Sequence, residues 1–157
     1  MDKYNHFAFC EEMARKLAYV RHTDEHPRFF KALGLERFSA LDDVLSSVVG
    51  PILIAIDSGE SSTEPQGGEN LPLRSKYHFI IATNTEDGRH ETIERAIADT
   101  RPPCWEVMCV LWKRYPTASR KVNFYSAGPI GDNYYGTLVE FTFDEWPSYE
   151  PDSSFFV

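Results

Sequence analysis

Two β-rich runs, residues 51–57 (PILIAID) and 73–83 (LRSKYHFIIAT), stand either side of a fifteen-residue polar segment, residues 58–72 (SGESSTEPQGGENLP). Their dense Ile, Leu, Tyr, Phe and Thr content favours strands, and so long a polar connection is uncommon in a compact domain unless it serves a function. The spacing predicts a long hairpin whose connection forms an arm. Glu60, Glu64 and Glu69, with Gly67 and Gly68, keep that arm soluble and mobile and make it a candidate docking element. A disordered insertion without function has the same composition.

The chain has 157 residues, enough for one domain with a real core. Its formal net charge of -8 removes the general electrostatic grip on phosphates, so no nucleic acid partner is expected. No run of apolar residues is long enough for a membrane span, and the start MDKYNH lacks a secretory pattern. The expectation is a soluble chain with no membrane partner. Cys10, Cys104 and Cys109 cannot all pair within the chain, and the last two, five apart on a helix, point about 140° apart. They read as reduced core thiols.

Apolar residues recur at helical spacing from Phe7 through Cys10, Met13, Ala14, Leu17 and Ala18, which predicts an amphipathic helix within residues 3–20. Pro27 is positioned to open a short helical turn ending at Gly34, and Ser39 to cap a third helix with Leu41, Val44, Leu45 and Val48 facing inward. A helix over residues 89–100 should stop at Pro102 and Pro103, since each proline in a helix interior costs about 3 kcal/mol or more. A second helix, apolar nearly all round, begins there. Strands over 121–127 and 134–143 follow, with Tyr135, Thr137, Val139, Phe141 and Phe143 on one face. The order predicts one α+β domain, residues 1–157: a helical region (1–50), a core (51–145) with a four-stranded antiparallel sheet packed against helices, and a C-terminal tail (146–157).

Chemistry is sparse. His22 and His26 are four apart, as in some metal sites, but Pro27 disfavours helical geometry at His26 and no third ligand lies nearby in sequence. His78 and His90 are each expected to be structural or surface histidines. Ser58 lacks a nucleophile elbow, and Gly128 and Gly131 lead into a strand rather than a helix, so no phosphate loop is indicated. Asp144 and Glu145 read as a solvated strand end. The expectation is no enzyme, no catalytic residue, no metal and no cofactor. The aromatics Tyr125, Tyr134, Trp146, Tyr149, Phe155 and Phe156 gather in the C-terminal third, and aromatics anchor interfaces because they bury much area with few rotors to freeze. The candidate interface residues are therefore Glu60, Glu64, Gln66, Glu69, Tyr134, Trp146, Tyr149, Phe155 and Phe156.

The N-terminal helix, the strand PILIAI (51–56), the long loop, the strand YHFIIA (77–82), an acidic turn into a helix and the late strand YGTLVEFTF (135–143) together resemble the tail terminator, or tail-completion, proteins of long-tailed bacteriophages and prophage elements. The resemblance spans roughly residues 40–143. It implies a virion structural subunit, made in the cytoplasm of a bacterial host, that forms a hexameric ring on the tail tube, stops tube growth and joins the tube to head-connector proteins. The chain departs from that pattern in its long N-terminal region and its aromatic tail. Two other readings stay open: a small hydrolase or ligand-binding enzyme using Asp57, His78 and Asp144, and a monomeric adaptor protein binding through the polar loop.

Overall fold

Strand β2 (Ile52–Ile56) is buried on both faces, and the rest of the molecule is arranged around it. The computed structural model of the chain describes residues 3–34, 41–65, 71–86, 89–147 and 150–157. Helix α1 (His6–Lys16) begins at Asn5, whose side chain accepts from Ala8 N at 3.0 Å. Next come strand β1 (Phe29–Ala32), the short helix α2 (Asp42–Leu45), β2, strand β3 (Ser61–Thr63) and strand β4 (Leu73–Asn84). Helix α3 (His90–Arg114), strands β5 (Asn123–Ile130) and β6 (Tyr134–Glu145), and a 3₁₀ turn (Ser153–Phe155) complete the described chain.

The described strands form one six-stranded sheet in the order β1-β2-β4-β6-β5, with β3 added beside the first residues of β4. β2 and β4 pair antiparallel, Ile52 with Ala82 through Ile56 with His78, as the two β-rich runs predict. The fold is α+β. The sheet is mixed rather than purely antiparallel, however, because β1 pairs with β2 in parallel. A parallel neighbour needs a crossover connection, and α2, which lies between β1 and β2 in the chain, packs on one face of the sheet. The expected helical turn after Pro27 is thus a strand, and residues 1–50 contribute to the sheet as well as to the helices. Phe29 and Phe30 suit a pleated surface, while Arg28 is held extended: its amide donates to His22 Nδ1 at 2.9 Å and its carbonyl accepts from Leu53 N at 2.8 Å. Ser39, the expected cap of the third helix, lies outside the described residues. Val44 on α2 is exposed, whereas Leu41 and Leu45 face inward as expected.

Two apolar layers clamp the sheet. On one face α1 and α3 pack Phe9, Met13, Cys104, Met108 and Leu111 against Leu53, Phe79, Ile81, Val139, Phe141 and Phe143. On the other, Leu41 and Leu45 cover Ile52, Ile54, Ile56 and Ile80, together with Ile130 and Tyr134. This double cover explains why the 51–56 run reads as continuously apolar instead of alternating.

Helix α3 runs unbroken through Pro102 and Pro103, contrary to the expectation of two helices. The prolines deprive the carbonyls of Ala98 and Asp99 of amide donors, but both residues are exposed, where water satisfies those carbonyls. The stripe Ala96, Thr100, Cys104, Val107, Met108 and Leu111 stays in phase across the prolines and is buried against β4 and β6. Full burial of each large apolar side chain contributes about 1.5–3 kcal/mol, so the stripe outweighs the local cost. Thr100 adds a hydroxyl contact to Thr137 at 2.9 Å. No described helix is long and apolar enough to cross a membrane.

Candidate interaction surfaces

The face of the sheet opposite α1 and α3 is only half covered. Beyond the reach of α2 its outward side chains turn polar: Arg74, Lys76 and His78 on β4 stand beside Asp144, Thr142 and Glu140 on β6. Arg74 grips Asp144 through two hydrogen bonds, at 2.8 and 3.2 Å. His78 Nε2 lies 3.0 Å from a Glu140 oxygen, and Asn123 donates to the other oxygen at 3.2 Å. Burial alone would raise the Glu140 carboxyl, yet those two partners hold it below the usual carboxylate range. Among the described residues, His78 Nδ1 is buried without a hydrogen-bond partner.

Asp57, His78 and Asp144 are not brought into one hydrogen-bonded group. His78 faces Glu140, Asp144 is engaged by Arg74, and Asp57 accepts from the Gly59 amide at 3.0 Å. The other histidine of chemical interest is His6, on the opposite face and 3% exposed. Its Nε2 lies 2.7 Å from the His78 carbonyl and its Nδ1 2.8 Å from the Tyr4 hydroxyl. Burial pushes its pKa down to about 4. Cys10 sits 3.8 Å from His6 Nδ1, but complete burial drives its thiol well above its ordinary range, so the pair is a neutral packing contact. Cys104 is likewise buried and pushed up to about 12, and all three cysteines are free, with Cys109 half-buried. Among the described residues no three potential ligands gather into a metal site. His22 is buried and accepts from Arg28 N; it is not paired with His26.

The candidate interface residues divide. Glu60 and Glu64 are exposed at the arm, with Glu60 3.4 Å from Lys76. The arm is partly structured: β3 pairs Ser61 with Ser75 and Thr63 with Leu73, so the polar run contains a short strand. Gln66, Glu69 and Tyr149 lie outside the described residues. Trp146, Phe155 and Phe156 are exposed, as expected of docking aromatics. Tyr134 is not: it is 2% exposed, and its hydroxyl donates to Val48 O at 2.8 Å. It pegs the segment after α2 onto the sheet, because a buried phenol must find an acceptor and the crossover carbonyls supply one.

Sequence reasoning missed a further surface. Trp105 on α3 meets Trp112 edge-on at 5.5 Å between ring centroids and Phe124 on β5 at 6.2 Å. Arg101 lies over the Phe124 ring at 5.9 Å and Arg120 over the Trp112 ring at 5.6 Å. The spacing of Arg101, Trp105 and Trp112 would have placed them on one helix face had the helix been carried through the prolines. No protein-family model matches the chain, and no curated protein matches it significantly.

Proposed function

We propose that this chain is a structural subunit that assembles with copies of itself into a ring on a phage-like tail tube, stopping tube growth and offering a face for the head connector. The observation that carries this reading is the placement of contact devices on separate parts of one sheet. The polar strand β3 lies beside the first residues of β4, β5 forms the sheet's far edge, and the exposed Trp146, Phe155 and Phe156 follow β6. Unlike surfaces on one subunit suit head-to-tail contacts, which close into rings when the rotation permits. The order of strands around the long loop supports the phage-like assignment by resemblance. In this reading the subunit works in the bacterial cytoplasm and in the virion, without catalysis. Sedimentation of the concentrated protein, with negative-stain imaging alone and with purified tail tubes, tests it. Rings support it; a monomer that stays off the tubes overturns it.

A second reading, a ligand site on the polar sheet face, is favoured by His78 Nδ1, which has no partner among the described residues and lies on a ring beside Glu140 and Asn123. A small-molecule screen read by NMR shifts of the His78 ring tests it.

A further inference from the structure

We infer that the Trp105–Trp112–Phe124 surface, bordered by Arg101 and Arg120, receives the 150–157 segment of a second copy of this chain. This deepens the ring reading and rests on it, since it names the contact by which one subunit holds the next.

The receiving surface is continuous. Two guanidiniums lie over the ends of a three-ring aromatic row, and among the described residues neither is paired with a carboxylate. Trp105, in the middle, is 49% exposed. A cationic aromatic row on a chain of net charge -8 suits an acidic segment carrying its own aromatic rings. Residues 150–157 (EPDSSFFV) are such a segment.

The segment is also shaped for the role. Asp152 accepts from Ser154 N at 2.9 Å and opens a 3₁₀ turn closed by the Phe155 and Phe156 amides. That turn holds Phe155 and Phe156 outward at 83% and 69% exposure, so they are not seated on their own subunit. Part of the ordering cost of binding is thereby met in advance. Burying two phenyl rings, each about 150–250 Å², gives a contact smaller than the roughly 1,200–2,000 Å² of a stable dimer. A single contact of this kind is weak. Repeated at every boundary of a closed ring it is strengthened by effective concentration.

Cys109 reports the contact, because it lies on the same α3 stripe between Trp105 and Trp112 while Cys10 and Cys104 are buried. One full-length chain carries Ser154→Cys together with Cys109→Ser; the other, distinguished by mass, is the unaltered protein. Under diamide, which takes up the two electrons, a disulfide between the two chains at positions 154 and 109 is expected. Its rate should fall at least about tenfold when the receiving chain carries Trp105→Ala or, as an exposed second variant, Arg101→Glu. An unchanged rate in both variants overturns the inference. So does a chain with Ser154→Cys and native Cys109 that closes only on itself. If the unaltered protein sediments as an oligomer without the mixed disulfide, the tail contact is wrong and ring assembly stands. If it neither associates nor cross-links at high concentration, the tail contact fails, and the ring reading fails with it when the protein also stays off purified tail tubes.

Discussion

His6 makes the protein's acid sensitivity a quantitative test of its core. In the neutral ring with the proton on Nε2, both nitrogens are satisfied, one donating to the His78 carbonyl and the other accepting from Tyr4. A second proton on Nδ1 would face a hydroxyl that already donates to it, in a site stacked on Tyr77 at 4.8 Å and closed to water. Imidazole ordinarily titrates near 6.5, and burial holds this one at about 4. Between those values the unfolded chain takes up a proton that the folded chain refuses. Stability is therefore undiminished above 6.5, falls as pH drops through the window, and is fully reduced below about 4. The gap is worth about 3 kcal/mol, a large share of the 5–15 kcal/mol typical of a domain. Urea unfolding from about pH 7.5 to about pH 4.5 should be compared between the protein and His6→Gln, which keeps an amide donor and cannot titrate. At the upper pH the variant should be weaker by about 1–2 kcal/mol for its lost hydroxyl contact. By the lower pH the difference should have shifted in the variant's favour by about 2–3 kcal/mol. A difference that stays constant to within about 0.5 kcal/mol would refute the neutral-histidine account.

Glu12 behaves in the opposite sense: hydrogen bonds from Arg114 and Lys16 depress its carboxyl to about 2. Its contribution is present above the ordinary carboxylate value and lost as pH falls toward 2. Because the group is a third exposed, Glu12→Gln should cost only about 1 kcal/mol near neutrality in urea unfolding, with the cost fading in acid. A Cβ at Gly136 would lie 2.0 Å from the Ile81 carbonyl oxygen and 2.6 Å from the Ala82 Cα, both backbone atoms of the paired strand. Gly136→Ala should cost about 3 kcal/mol or more and lower Tm by roughly 6–12 °C in calorimetry. Gly59→Ala meets no atom within 4 Å and should cost about 1 kcal/mol, for its positive φ alone. Similar losses in the two variants would contradict the strand geometry. Removing residues 61–70 and closing the gap with a short turn should change stability by less than about 1 kcal/mol, since β3 is exposed throughout and shorter loops close more cheaply. Ring assembly, read by negative-stain imaging, should be lost; normal rings would remove the arm from the interface.

Local sequence chemistry was enough to place α1, the antiparallel pairing across the polar segment and the inward face of β6, because each rests on a period or on β-forming content that survives in isolation. The same chemistry misjudged α3, β1 and Tyr134, whose places are decided at long range. Pro102 and Pro103 break a helix locally, but a stripe in phase on both sides of them, buried against β4 and β6, holds α3 together. Pro27 suits the start of a helical turn, yet Phe29 and Phe30 after it pair in parallel with β2, a strand far along the chain. Tyr134 looks like a surface anchor until the carbonyl of Val48 receives its hydroxyl. The surface chemistry divides in the same way. The exposure of Phe155 and Phe156 is in keeping with their polar neighbours in sequence, whereas the guanidinium-aromatic row exists only once α3 is continuous and β5 lies beside it. Pattern and composition record what each segment can bury; which partner it is buried against is settled by contacts between residues far apart in the chain.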